Sequence, residues 1–161
     1  MELLELALSM ELDLEKFYKE QADLNKENSL NAVFTMLAKE ERNHANILIT
    51  KADKLALPLE DSNILLDVQS IFKNIDDFTS DTQDLPNQLD TYRMALEKEQ
   101  ESLKFYQDLY ADASEEQSKI VFQYLIKQEE KHCVILDELV KLVSRADEWV
   151  ESAEFGVRED Y

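Results

Sequence analysis

The sequence predicts an all-α protein, a four-helix bundle assembled from two copies of one helical hairpin. Three observations point there. Only one glycine and two prolines, Pro58 and Pro86, interrupt 161 residues rich in strong helix formers. Apolar residues recur at helical spacing, as in Val33, Met36, Leu37, Ile47 and Leu48, and no stretch alternates as a half-buried strand would. Shifting the chain by 88 positions superposes residues 7–48 on 95–136, matching among others Phe17/Phe105, Val33/Val121, Phe34/Phe122, Leu37/Leu125 and Leu48/Leu136.

The first helix is expected over 2–26, where Asn25-Lys-Glu-Asn-Ser29 breaks the apolar pattern. Ser29 or Asn28 can cap the second helix, expected over 29–55. A link over 56–86 follows, opened by Pro58 and Asp61-Ser-Asn63, with a short helix over 64–78 and a close at Ser80–Pro86. The third helix is expected over 87–112. The fourth is expected over 115–143, with Ser114 as cap and acidic residues in the first turn. A tail over 144–161 carries Trp149 and Phe155 and is expected to form a short C-terminal helix, packed on the bundle or on a second subunit. The whole reads as a single domain: hairpin 1 (about 2–55), crossover (56–86), hairpin 2 (about 87–143) and tail.

The two histidines of the chain end the same phrase, Glu-x-x-His: Glu41 with His44, and Glu129 with His132. Thirty residues upstream of each of these glutamates stands another, Glu11 and Glu99, and seven residues after each of those comes a tyrosine, Tyr18 and Tyr106. At i, i+3 a carboxylate and an imidazole share one helix face and can grip one metal. Glu41 lies on the apolar stripe of Leu37, Ala45 and Leu48, and Glu129 on that of Leu125, Cys133 and Leu136.

Residues equidistant from a hairpin turn lie at one height. The midpoints of Glu11/Glu41 and Glu99/Glu129 fall at positions 26 and 114, both within polar breaks. Four buried carboxylates without cations would be forced to bind protons, whereas two divalent ions cancel their charge. Carboxylate with imidazole suits iron or manganese, with zinc possible. Tyr18 and Tyr106 share the faces of Glu11 and Glu99, so they can hydrogen-bond a liganding carboxylate or serve as plain core aromatics.

The formal charge of −19 argues against nucleic acid as a partner. No run of eighteen apolar residues predicts a membrane span, the N-terminus lacks a basic leader, and a lone Cys133 excludes an internal disulfide, so a reducing cytoplasm is expected. Cys133 aligns with Ala45 and is expected to be a small core residue.

The doubled pattern Glu11–Tyr18–Glu41–His44 and Glu99–Tyr106–Glu129–His132 resembles the rubrerythrin branch of the ferritin-like di-iron carboxylate proteins, over roughly residues 5–140. The resemblance implies a ferritin-like bundle with one long crossover between its second and third helices. It implies that Glu41 and Glu129 bridge two iron ions, that Glu11 and Glu99 are terminal ligands, and that His44 and His132 bind one ion each. It further implies reduction of hydrogen peroxide or dioxygen in oxidative-stress defence, in a homodimer. Rubrerythrins carry an extra glutamate one turn after the third-helix ligand, where this chain has Ser102, and a rubredoxin domain with four cysteines, which it lacks. Electrons are therefore expected from a separate protein such as rubredoxin. Two other functions fit the same residues: oxidation of Fe(II) for binding or storage, and a metal-stapled bundle or sensor without catalysis.

Overall fold

The computed structural model describes residues 2–52, 58–75 and 85–159, with side chains described through Arg145 and, in the helix that begins at Leu85, from Gln88 onward. Five helices make it up: α1 (Glu2–Leu24), α2 (Leu30–Ala52), α3 (Ile64–Lys73), α4 (Leu85–Asp112) and α5 (Glu116–Glu159). Among the described residues there is no strand. The expected bundle is present, α1 packing along α2 and α4 along α5, with α3 laid against α5 and α2.

Asparagines make the first turn. The Asn25 Nδ2 donates to the Gln21 carbonyl at 2.8 Å, and Asn31 Nδ2 to the Ala22 carbonyl at 2.7 Å, satisfying acceptors that a helix end leaves free. Asn28 Oδ1 accepts from the Leu30 N–H at 2.9 Å, so Asn28, rather than Ser29, holds the start of α2.

The direction of each helix follows from contacts between hairpins. Tyr18 and Glu11 of α1 meet Glu99 and Tyr106 of α4 in inverse order, so α1 and α4 are antiparallel. His44 and Glu41 of α2 meet Glu129 and His132 of α5 the same way. Hence α2 and α4 run parallel, and the chain between them must travel the length of the bundle. Tyr124 Oη donates to the Glu60 carbonyl, while Lys131 binds Asp61 and the Ser62 carbonyl (2.9 Å), pinning the crossover to α5. Ile64 and Val68 of α3 enter the core.

Boundaries differ from expectation by one or two residues at the end of α1 (Leu24 rather than 26) and the starts of α2 and α5, and more informatively elsewhere. The crossover helix ends at Lys73 rather than reaching 78, because the Asn74 N–H turns to the Ile71 carbonyl at 3.1 Å in a tightened last turn. Residues 76–84, with the expected close at 80–84, lie outside the described residues, as do 53–55 at the expected end of α2. Helix α4 starts two residues early, with Pro86 in its first turn, where no backbone donor is needed. The tail forms no separate short helix. Helix α5 continues unbroken to Glu159, since no proline lies between Glu116 and Glu159 and the only glycine is Gly156. The side chains of Trp149 and Phe155 lie outside the described residues.

Two apolar clusters fill the bundle. One holds Tyr18, Phe34, Leu37, Tyr92, Leu136 and Leu139; the other holds Ala7, Leu48, Tyr106, Phe122 and Leu125. In each hairpin the Glu-x-x-His turn falls between residues of the two, Glu41 and His44 between Leu37 and Leu48, Glu129 and His132 between Leu125 and Leu136.

Candidate metal centre

All six charged or imidazole side chains singled out in the sequence converge between these clusters. Glu11 is 1% exposed, and Glu41, His44, Glu99, Glu129 and His132 are 0% exposed. One ligand atom each from Glu41, His44, Glu129 and His132 can be chosen so that all lie within 4.8 Å of one another. Glu11 and Glu99 flank this group: His44 Nδ1 is 3.4 Å from Glu11 Oε2, and His132 Nδ1 is 3.5 Å from Glu99 Oε1. Across the hairpins His44 Nδ1 lies 3.4 Å from Glu129 Oε1, and His132 Nδ1 lies 3.0 Å from Glu41 Oε1. The two imidazoles stack, with ring centres 5.3 Å apart. Both turn Nδ1 toward the carboxylates.

The tyrosines bond to carboxylates, but across the bundle rather than along their own helices. Tyr18 Oη on α1 donates to Glu99 Oε1 on α4 at 2.5 Å, and Tyr106 Oη on α4 donates to Glu11 Oε1 on α1 at 2.6 Å. Burial and the neighbouring carboxylates push both phenols well above their ordinary range, so they remain donors. Each anchors one oxygen of a flanking glutamate and leaves the other oxygen, Oε2, without a hydrogen-bond partner.

The four carboxyls divide into two kinds. Burial pushes Glu41 and Glu129 well above the usual carboxylate range, and the charges of neighbouring carboxylates add to it. Burial acts the same way on Glu11 and Glu99, yet His44 beside the first and His132 beside the second, with the tyrosine hydrogen bonds, hold both down at about 2. His132 is raised well above its ordinary value: burial opposes the charge, and Glu99 and Glu40 overcome it. Without cations, burial and mutual repulsion thus favour the protonated form of the two central glutamates.

Both oxygens of Glu41 and of Glu129, Oε2 of Glu11 and of Glu99, and Nδ1 of both histidines are buried and lack hydrogen-bond partners. Buried polar atoms are ordinarily paired. A convergent set of unpaired oxygen and nitrogen donors, with the carboxylates outnumbering the imidazoles, fits hard or borderline cations such as iron or manganese. Four carboxylates would balance the charge of two divalent ions.

Glu40 escaped the sequence reading. Its Oε1 lies 3.3 Å from the outer nitrogen, Nε2, of His132. The bidentate pair of Arg42 with buried Glu15, at 2.9 and 2.7 Å, also escaped it. Cys133 is half-buried, unlike the fully buried Ala45, so it is not the core residue expected; burial first, then the Glu99 charge, raises its thiol to about 11. Ser102 is 1% exposed, at the floor of a groove of about 370 Å3 between α1 and α4 lined by Leu14, Met94 and Ala95. Among the described residues no helix is long and apolar enough to cross a membrane.

A family model described as Rubrerythrin matches residues 2–140. Comparisons with curated proteins and with solved structures found no match.

Proposed function

Because the chain belongs to the rubrerythrin family, we propose that it is a di-iron carboxylate oxidoreductase that reduces hydrogen peroxide or dioxygen with electrons from a separate donor protein such as rubredoxin. The observation that carries this reading is the buried set of unpaired donors from Glu11, Glu41, His44, Glu99, Glu129 and His132. Glu41 and Glu129 would bridge the ions, Glu11 and Glu99 would be terminal, and each histidine would bind one ion through Nδ1. Manganese or zinc can take one or both positions. When bound, the iron pair supplies two electrons to the oxygen–oxygen bond and the Lewis acidity that stabilises the oxide charge formed.

The protein's own contributions follow from its geometry. Glu41 and Glu129 would surrender their protons as cations enter, so that all four carboxylates then carry charge against the two divalent ions. Tyr18 and Tyr106 fix Glu99 and Glu11 by one oxygen, leaving the other free to change its coordination. Burial of all six ligands excludes bulk water and strengthens their electrostatics. The expected assembly is a homodimer, as in the family.

A second reading, oxidation of Fe(II) for binding or storage, is favoured by the charge of −19 and by an acidic cleft of about 470 Å3 lined by Glu40, Glu60, Asp61 and Asp67. Anaerobic Fe(II) loading followed by separate additions of peroxide and oxygen, read optically, separates the two. Oxidation faster with peroxide than with oxygen, and re-reduction by rubredoxin, is expected of the reductase. Uptake of many irons per chain would replace it with the storage reading.

A further inference from the structure

The two halves of the centre copy each other closely, which makes one mismatch informative. Under the 88-residue shift Glu11, Tyr18, Glu41 and His44 map onto Glu99, Tyr106, Glu129 and His132. Their contacts map as well, each tyrosine reaching the opposite glutamate and each Nδ1 facing the carboxylates. The residue before each central glutamate does not map: Glu40 on α2 corresponds to Gln128 on α5.

Glu40 reaches across to His132, its Oε1 standing 3.3 Å from Nε2. The mirrored contact would run from Gln128 to His44, and it is not made. Gln128 turns its carboxamide to Asp61 instead (Nε2 to Oδ1 3.3 Å), and His44 Nε2 is buried without a hydrogen-bond partner. A carboxylate on the outer nitrogen fixes the tautomer that leaves Nδ1 free to ligate, orients the ring and makes it a stronger donor. One histidine has this support and its twin lacks it.

We propose that Glu40 makes the two metal positions unequal, so that the position served by His132 takes the first ion and holds it more tightly than the position served by His44. The proposal rests on the two-metal reading above. Glu40 is a positioning residue: it acts through His132, and its own side chain is 17% exposed beside the crossover. A glutamine there keeps the shape while removing the charge.

The test is an anaerobic calorimetric and absorption titration of the metal-free full-length chain with Co(II). Wild type should bind two ions in resolved steps. Glu40→Gln should weaken the first step by about 10–100-fold, with little change in the second, bringing the steps together. Gln128→Glu should tighten the second step by giving His44 the missing carboxylate. His44→Ala should keep the tight step and His132→Ala should lose it. Two equal steps in wild type, an unchanged first step in Glu40→Gln, equal weakening of both, or a tight step surviving in His132→Ala each overturn the proposal while leaving the two-metal reading intact. Binding of fewer than two ions by wild type removes that reading and this proposal together. If Glu40→Gln loses its helical circular dichroism, Gln128→Glu decides: an unchanged second step overturns the proposal.

Discussion

A buried carboxyl that keeps its proton is held ready to exchange it for a cation, and the sign of that exchange can be worked out group by group. Glu41 and Glu129 are raised above 4.5 by burial and neighbouring carboxylates, so their stabilising contribution is complete below that value and is lost as pH rises through their folded values. His132, raised above 6.5 by Glu99 and Glu40 against burial, behaves likewise. Glu11 and Glu99, held at about 2, contribute above 4.5 and lose that contribution only toward pH 2. The metal-free protein should therefore melt at lower temperature as pH rises above about 4.5, with His132 adding to the loss above about 6.5, whereas the metal-loaded protein should hold its melting temperature. Thermal melts followed by circular dichroism in a pH series check this, and a flat metal-free profile would contradict it. Replacing Glu41 or Glu129 with Ala should lose both ions, while Glu11→Ala should mainly weaken one. Elemental analysis after Fe(II) reconstitution reads the difference, and equal, mild losses at all these positions would rule out bridging. These positions were legible because helix periodicity and an internal repeat both act along the chain. Glu40 was not, because a bond from α2 to α5 depends on how two helices are rotated about their axes, which no spacing along one helix encodes.

At the scale of elements, the first hairpin turn was readable from capping chemistry, with Asn28 meeting the Leu30 N–H, and the helix ends less so. Asn74 closes α3 early through a local hydrogen bond, and α5 runs on because no proline stands between Ser144 and Glu159 and a glycine comes only at Gly156. Arg42 and Glu15 join α1 to α2 through an ion pair whose carboxylate is buried, at 6% side-chain exposure. Arg42→Ala leaves Glu15 with only the exposed Lys19, 3.3 Å away. The loss should cost about 1–3 kcal/mol, because a buried acceptor is left without its charged donor. Urea unfolding of the metal-free chain measures it, and a change within error would mean that water and Lys19 replace Arg42 fully. The repeat does not copy this pair. Under the 88-residue shift Arg42 falls on Glu130 and Glu15 on Leu103, so the second hairpin carries neither its cation nor its carboxylate at those positions.

The longest helix of the described residues is α5, Glu116–Glu159. Val143 is buried in the bundle, and α5 continues sixteen positions further, to Glu159, a projection of roughly 24 Å. Trp149, Val150, Phe155 and Val157 stand on that stretch in the sequence. A helix with such residues needs a surface to cover them, and two-fold pairing is the commonest source of one. Sedimentation should find a homodimer for the full chain and a monomer after truncation at Ser144, with metal binding kept in both. A monomeric full chain would sink the dimer, and a dimer surviving truncation would clear the extension of any part in it.

The tyrosine bonds also bear on motion. Backbones pack closely within each hairpin, but α1 and α4 come near each other at few points, and Tyr18–Glu99 and Tyr106–Glu11 cross that seam in opposite directions. Each crossing ends on a glutamate that would also face a cation. Filling the centre would thus fasten the hairpins to each other, and emptying it would let the seam breathe. Amide exchange should slow on loading along the inner faces of α1 and α4, around residues 11–18 and 99–106, more than in the turn at 25–29. The centre would then act as a clasp whose state is written in the opening rate of the bundle.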